Sequence, residues 1–413
     1  MSSEIAQEST PPATQQAGPS SPSFQATISK YLRGNLGQFP VVLTLILIAA
    51  FFQIASQIKY NEGLFLSARN LSNLVLQIAV LGTLGLASTL VLLIGEIDLS
   101  MGVVAYLTGA VTVIFSVYHG WGTIPSLLIG LAAGAVIGLV NGFFVAILRV
   151  PSFIVTLAGL LAYQGIVIHI LYPQTSVNVT DPNINNLATN YLPDVLGVGL
   201  PIIAVILYAV GILYARIQRQ RRKLAVGPAW ATWLRIGVAV VLVIATISLF
   251  ESYQGVPQSA VILVGLILLF WLILRFTAFG RHVYAVGGNA EAARRAGINV
   301  TRTRILIFML ASTLGAVGGI LAVSRSGVAT AQVDPTILLN AIAIAVIGGI
   351  SLFGGRGSVW GIVLGALVIG SIANGMSLLN QTPDVVYIVE GVVLIIAVTA
   401  DALARRRQAT GMR

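Results

Sequence analysis

Several stretches of this chain run for about 18 residues or more with almost no charge, the length a helix needs to cross the hydrocarbon of a bilayer. Lipid offers no hydrogen-bond partner to backbone N–H and C=O groups, so runs of this kind are helical where they cross. The chain is 57 % hydrophobic and only 9 % charged over 413 residues, far more apolar than a soluble core requires. The fold class this predicts is an all-α polytopic integral membrane protein.

We count twelve hydrophobic segments, at 39–57, 71–94, 101–118, 124–147, 152–171, 200–215, 236–250, 259–275, 305–323, 337–351, 359–376 and 384–400. The pair at 200–215 and 236–250 reads as short for a full crossing. Charge orders the count. With the N-terminus in the cytoplasm and twelve crossings, both termini are cytoplasmic, and only Lys59, Arg69 and Arg325 of the 23 basic residues fall outside. The opposite orientation breaks the positive-inside rule. The net charge of +10 therefore marks loops, and nucleic acid is not expected as a partner. The absence of cysteine excludes disulfides, thiolate metal sites and Cys nucleophiles.

Residues 1–38, rich in Ser, Pro, Gln and Thr, read as a disordered cytoplasmic tail, with no cleaved signal peptide. Residues 39–404 form the transmembrane domain, and 405–413 a basic cytoplasmic tail. Within the domain, "RIQRQRRKLAVGPAWATWLR" (216–235) is a basic cytoplasmic loop suited to orientation and to contact with anionic membrane lipid. The segment 172–199, rich in Pro, Asn, Asp and Thr, reads as an exterior loop. The 43 glycines let helices approach closely. "GAVIGLVNG" (134–142) and "GALVIGSIANG" (365–375) echo each other in opposite senses across the membrane, as an inverted repeat would and as chance in so biased a composition also would.

Between two apolar stretches stands "GGNAEAARRAGINVTR" (287–302). Asn289 is placed to cap a helix, Glu291 falls in its first turn and Arg294 and Arg295 in its last, in accord with the helix dipole, and Gly297 is placed to end it with positive φ. A two-turn helix is marginal alone in water and needs a partner surface or anchoring at both ends. Ala292, Ala293 and Ala296 give it a small-residue face able to enter a groove, with the two arginines free for acids on the rim. Capping the bundle is the plainer role, and the residues alone leave both open.

"EAARRAG" resembles the EAA-x-x-x-G coupling-loop motif of ABC importer permeases. "GEIDLSMG" (95–102) is similar to a signature of the ribose/xylose group of sugar permeases, and "SLFGGRGSVWG" (351–361) resembles a further one, in the same order over about residues 70–400. The I-x-L-P continuation of the wider EAA motif is missing from "INVTRTRILIFML", as it generally is in that group. The resemblance implies a ten-span permease core, here with an inserted pair near 200–250 as in xylose-type permeases. It implies a bacterial cytoplasmic-membrane subunit of an ATP-driven monosaccharide importer. Residues 276–304 would be the coupling loop, with Asn289, Glu291, Ala292, Ala293, Arg294, Arg295 and Gly297 facing a separate ABC ATPase. An extracytoplasmic sugar-binding protein and a second permease copy would complete the assembly. ATP and Mg would be bound by the ATPase and no cofactor by this chain. In agreement, no G-x-x-x-x-G-K-[ST] loop occurs, nor any H-E-x-x-H or G-x-S-x-G, so the chain does not read as an enzyme.

Ionisable residues within spans are functional candidates. Glu390 lies mid-segment, and Glu96 and Asp98 flank the end of the second span. Residues two apart point to nearly opposite faces of a continuous helix, so a break at "GEIDLS", with Asp98 accepting from free amides before Met101, is the natural reading. Both acids are also candidates for gating. The rival function is a proton-coupled sugar transporter relaying through Glu390, Glu96 and Asp98, with His169 a weaker fourth. For the path itself, Gln77, Asn141, Gln164, Asn340 and Asn374 are polar groups inside apolar segments. Each could instead join helices, at about 0.6 kcal/mol. Tyr106 and Tyr163 could stack on a sugar ring or simply pack.

Overall fold

The computed structural model describes residues 39–224 and 226–410; the expected tail at 1–38 lies outside them. Five helices come first: α1 (Phe39–Tyr60), α2 (Ala68–Leu93), α3 (Met101–Val117), α4 (Thr123–Ala146) and α5 (Ser152–Leu171). A strand β1 (Ser176–Asn178) and a short helix α6 (Pro182–Thr189) lead to the pair α7 (Asp194–Arg221) and α8 (Ala229–Glu251). Then come α9 (Gln258–Phe276), α10 (Ala278–Gly288), α11 (Ala290–Arg295) and α12 (Val300–Ser326). Strand β2 (Val328–Thr330), α13 (Thr336–Ile347), α14 (Gly361–Leu378) and α15 (Pro383–Thr410) complete the chain.

Nine helices among the described residues are long and apolar enough to cross a membrane. The pair expected to be short is a correction: α7 has 28 residues and α8 has 23. Their apolar windows look short because Pro201 interrupts one and each helix runs on into polar residues at its ends. Two other segments are the shorter ones, α3 with 17 residues and α13 with 12. At 1.5 Å per residue α13 rises only about 18 Å, against a hydrocarbon core of about 30 Å. Irregular backbone completes the segment, with Ile350, Ser351 and Val359 buried; such backbone is tolerated at depth where protein covers it.

The ends of the helices gather on two opposite faces. On one, β1 pairs antiparallel with β2, Ser176 opposite Thr330. There Tyr60 donates to Leu378 O at 3.0 Å and Thr123 to Asp181 at 2.6 Å. This two-stranded ribbon qualifies the all-α expectation. On the other face Tyr284 donates to Gly357 O at 3.0 Å, and Arg304 pairs with Glu96 at 2.9 Å. We call these the ribbon face and the coupling face. Every one of these contacts joins ends that the alternating topology puts on the same side.

The centre of the bundle is α2 against α12, and around them the packing repeats with inverted sense. Helix α12 packs on α3 and α4 as α2 packs on α13 and α14; α3 packs on α5 as α13 packs on α15. The turns before the two short helices match as well. Asp98 accepts from the Ser100 amide and hydroxyl at 2.8 and 2.6 Å; Asp334 accepts from the Thr336 amide and hydroxyl at 2.9 and 2.7 Å. The echo between 134–142 and 365–375 falls on α4 and α14, equivalent helices in this arrangement.

Candidate coupling face and transmembrane cavity

The charged segment folds as two short helices. Asn289 has an extended backbone that ends α10, and its side chain accepts from Ala292 N at 2.9 Å to start α11. The last turn closes through Gly297 N to Arg294 O and Ile298 N to Ala293 O, both at 3.0 Å, with Gly297 at φ +83°. That pair of bonds is the Schellman arrangement, whose left-handed position favours glycine. Asn299 then caps α12 by accepting from Arg302 N at 2.8 Å. Two caps, followed at once by the cap of α12, hold a six-residue helix that could not persist alone.

Two expectations about this helix are corrected. Its alanines do not form one outward face: Ala293 is buried against the bundle, whereas Ala292 and Ala296 are exposed. The three positions fall within one arc of about 100° on the helix, but α11 is rolled so that the Ala293 edge of that arc meets the bundle. Nor are the arginines left free, since Glu291 accepts from Arg294 at 3.1 Å and Arg295 at 3.2 Å. These pairs are exposed and of the i,i+3 and i,i+4 kind, worth a few tenths of a kcal/mol.

The glycine-rich loop explains how this segment is fastened. Gly355 N donates to Leu93 O at 2.9 Å. A Cβ on Gly287 would lie 1.8 Å from Leu93 O, and one on Gly354 would lie 2.7 Å from Gly95 N. The end of α10, the end of α2 and the 354–355 loop thus meet backbone to backbone. Burial pushes the Tyr284 phenol above its ordinary value, opposed by Arg275; it stays protonated and donates to Gly357 O across the same joint. Three separate sequence signatures form one unit, a role for "GGRG" that sequence spacing did not reveal.

A cavity of about 580 Å³ lies among α2, α3, α12, α13, α14 and α15. It runs from Arg325, Asp334 and Gln381 near the ribbon face inward to Gln77 and Asn340. Two of the expected path residues, Gln77 and Asn340, line it. Others do not. Asn141 accepts from Tyr163 at 2.8 Å and donates to Ser100 Oγ at 3.3 Å. Gln164 donates to Ala331 O at 2.9 Å, and Asn374 accepts from Asn70 at 2.9 Å. These three fasten elements together, and with Asn141 engaged Tyr163 lies outside the cavity. Tyr106 lines it, its hydroxyl accepting from Asp334 N at 3.3 Å. Sequence reasoning missed Arg325, Asp334, Ser377 and Tyr387, which also line the wall. They sit at helix ends, where a polar residue carries no signal of its own.

The three acids of the rival relay are not brought together. Glu390 lines the cavity together with Asn340. Glu96 is engaged by Arg304 at the coupling face, and Asp98 is buried and turned onto Ser100, as the capping reading anticipated. His169 is exposed on α5.

Comparison with known proteins agrees with this geometry. The family described as branched-chain amino acid transport system / permease component matches residues 70–398. The xylose transport system permease protein XylH of Haemophilus influenzae is 38 % identical over 90 % of this chain and 98 % of its own length. The fructose import permease protein FrcC of Rhizobium meliloti is 31 % identical over 92 % and 89 %. The ribose import permease protein RbsC of Bacillus subtilis is 30 % identical over 82 % and 86 %. No solved structure matches the chain. With a polytopic helical bundle, a capped charged helix on one face and full-length similarity to permeases, this chain belongs to that permease family.

Proposed function

We propose that this chain is the membrane permease subunit of an ATP-driven monosaccharide importer, with xylose the first sugar to test. The observation that carries the reading is the coupling segment: a short helix capped at both ends, by Asn289 and by the Gly297 turn, and joined backbone to backbone, through Gly287, to the end of α2 and the 354–355 loop. The names of its relatives, xylose, fructose and ribose permeases, support the substrate class. By the positive-inside rule the coupling face is cytoplasmic and the ribbon face exterior. A separate ATPase subunit binds ATP and Mg and moves α11, with Asn289, Glu291, Arg294, Arg295 and Gly297 shaping the contact. A sugar-loaded binding protein delivers substrate to the ribbon face, and two permease copies complete the transporter.

The cavity supplies the sugar path. Gln77 and Asn340 each offer a donor and an acceptor, Tyr106 a hydroxyl and Glu390 acceptors, a set suited to the hydroxyls of a neutral sugar. Uptake into proteoliposomes tests the whole reading. Sugar accumulates only with the ATPase, the binding protein and ATP present. Accumulation by the chain alone under a pH gradient would replace this reading with proton symport centred on Glu390.

A further inference from the structure

Beside the coupling helix lies a second, smaller pocket of about 210 Å³, independent of the transport path. Its wall carries Arg149, Arg294, which pairs with Glu291 at 3.1 Å, and Arg304, with one acid among the lining residues, Glu96. That acid is already engaged by Arg304 at 2.9 Å. Arg149 has no ion-pair partner among the described residues, and its backbone is held at φ +57° at the turn between α4 and α5. The Arg304 Nε is buried with no hydrogen-bond acceptor among the described residues. A donor buried without an acceptor is costly, and here it stands in a pocket with an excess of positive charge.

The surroundings say which anion fits. The turn carrying Arg149 sits at the edge of an apolar collar. Phe143, Phe144, Ile147 and Leu148 precede it and Phe153 and Ile154 follow it, each 42–53 % exposed. A ligand for both features has an anionic head and a long apolar body. A free phosphate or a carboxylate side chain of a docked protein would use the arginines alone, whereas a phospholipid engages the arginines and the collar with one molecule.

We propose that this pocket binds an anionic phospholipid, its phosphate held by Arg149 with Arg294 and Arg304 and its acyl chains lying along the collar. Guanidinium forks match phosphate oxygens in pairs, and basic pockets between helices on the cytoplasmic side, where the positive-inside rule puts this face, suit such headgroups. Arg294 belongs to α11, so the lipid lies directly under the coupling helix.

Native mass spectrometry of the delipidated full-length chain, titrated with phosphatidylglycerol or phosphatidylcholine, tests this. Lipids bound elsewhere, including at the basic 216–235 loop, are common to all variants, so the measure is the difference from wild type. We expect a preference for phosphatidylglycerol that falls about fivefold in Arg149→Gln, the size of one basic residue beside an anionic surface, and is largely kept in Arg149→Lys. Ile147→Asp, which leaves every pocket arginine in place, lowers lipid retention as well. Added inorganic phosphate does not displace the lipid. Equal phosphatidylglycerol binding by wild type and Arg149→Gln overturns the proposal, as does equal binding of the two lipids. Displacement by phosphate, or unchanged retention in Ile147→Asp, makes the pocket a free-anion site. If Arg149→Gln abolishes ATPase association while lipid binding is unchanged, the pocket is a protein socket and the lipid assignment fails.

Discussion

Helix α2 and the α7–α8 pair are comparably apolar, yet they occupy opposite environments. In the most apolar window of α2, 78 % of residues are buried within the protein; in α7 and in α8 the figure is 6 %. Hydropathy cannot distinguish them, because lipid and protein interior are equally apolar solvents. What separates them is side-chain size at the contact. The buried face of α2 includes Ala79, Gly82, Thr83, Gly85, Ala87, Ser88 and Thr89, small groups that admit another backbone. In the hairpin, Gly199, Gly211 and Gly237 have open space where a Cβ would stand. Glycine is thus a packing signal in α2, whereas in the hairpin only Gly197, at its base, meets neighbouring atoms, those of Glu251 and Val256 at 3.7 Å, and Gly199, Gly211 and Gly237 carry no contact.

The sharpest way to break the comparison is at the joint where the coupling segment meets α2. Gly287→Val places a branched side chain where Leu93 O already lies 1.8 Å from the Cβ position. Backbone atoms cannot yield as a side-chain tip would. We expect loss of coupled uptake, measured in proteoliposomes with the partner proteins, and release of the ATPase in pull-down. Gly288→Ala, one residue on with open space at Cβ, retains both. If the two variants behave alike, the backbone joint is not what fastens the coupling face.

A matched pair sharpens the contrast between core and hairpin. Gly138 on α4 would put a Cβ 2.3 Å from Phe308 O and 2.6 Å from Met309 Cα, whereas Gly211 on α7 meets nothing within 4 Å. Gly138→Leu should destabilise the protein by about 3 kcal/mol through overpacking. Gly211→Leu should change it by no more than about 0.5 kcal/mol, as surface substitutions do. Thermal unfolding in detergent, followed by loss of the monodisperse peak, reads both. Equal shifts would mean that the hairpin packs against protein rather than lipid.

A smaller effect belongs to the cap that starts α11. Asn289→Ala removes the acceptor for Ala292 N and should cost about 1 kcal/mol. That cost falls on a helix anchored on both sides. ATPase stimulation is expected to drop several-fold while expression and sugar binding hold. Asn289→Asp, which keeps the acceptor, should restore it. Failure of the restoration would show that the side chain acts by contact with a partner rather than as a cap.

These contrasts also mark what the sequence made legible. The membrane spans, the caps at Asn289 and Gly297 and the break at "GEIDLS" could be read, since each rests on local chemistry: apolar length, a side-chain acceptor, a left-handed residue, an Asp two before a Ser. The lengths of α7 and α8 were misjudged because a helix end is set by where backbone bonds stop, not where hydropathy falls. The cavity was half visible. Gln77 and Asn340 stand out against apolar neighbours, but so do Asn141 and Asn374, which tie helices together. Only the three-dimensional arrangement tells a polar group facing a void from one facing another amide. Asp334 and Arg325 gave no signal, because polar residues at helix ends are expected anyway.

The mildest expected effect comes from the largest deletion, and it tests whether the hairpin is an insert. Its two stems meet at the base: Tyr191 pairs with Pro257 in an isolated antiparallel bridge, Leu192 N donates to Val256 O at 2.9 Å, and Gln258 N donates to Asn190 O at 2.9 Å. The chain therefore leaves and re-enters the bundle at one point. Removing 194–254 deletes two crossings, so every later helix keeps its sense. A linker of a few residues closes a gap that is already hydrogen-bonded across, and short closures cost little entropy. The coupling segment retains enough arginine to hold the orientation, by the same positive-inside bias that the 216–235 loop supports. The excised chain should insert with an unaltered topology, bind its ATPase and transport sugar at a rate within about threefold of the parent, a barrier change below 1 kcal/mol. Loss of transport with the topology intact, judged by cysteine labelling in this naturally cysteine-free chain, would show the hairpin to be a working part of the transporter. The outer faces of α7 and α8, which pack on each other and leave most of their apolar windows exposed, would then have to be covered by another subunit.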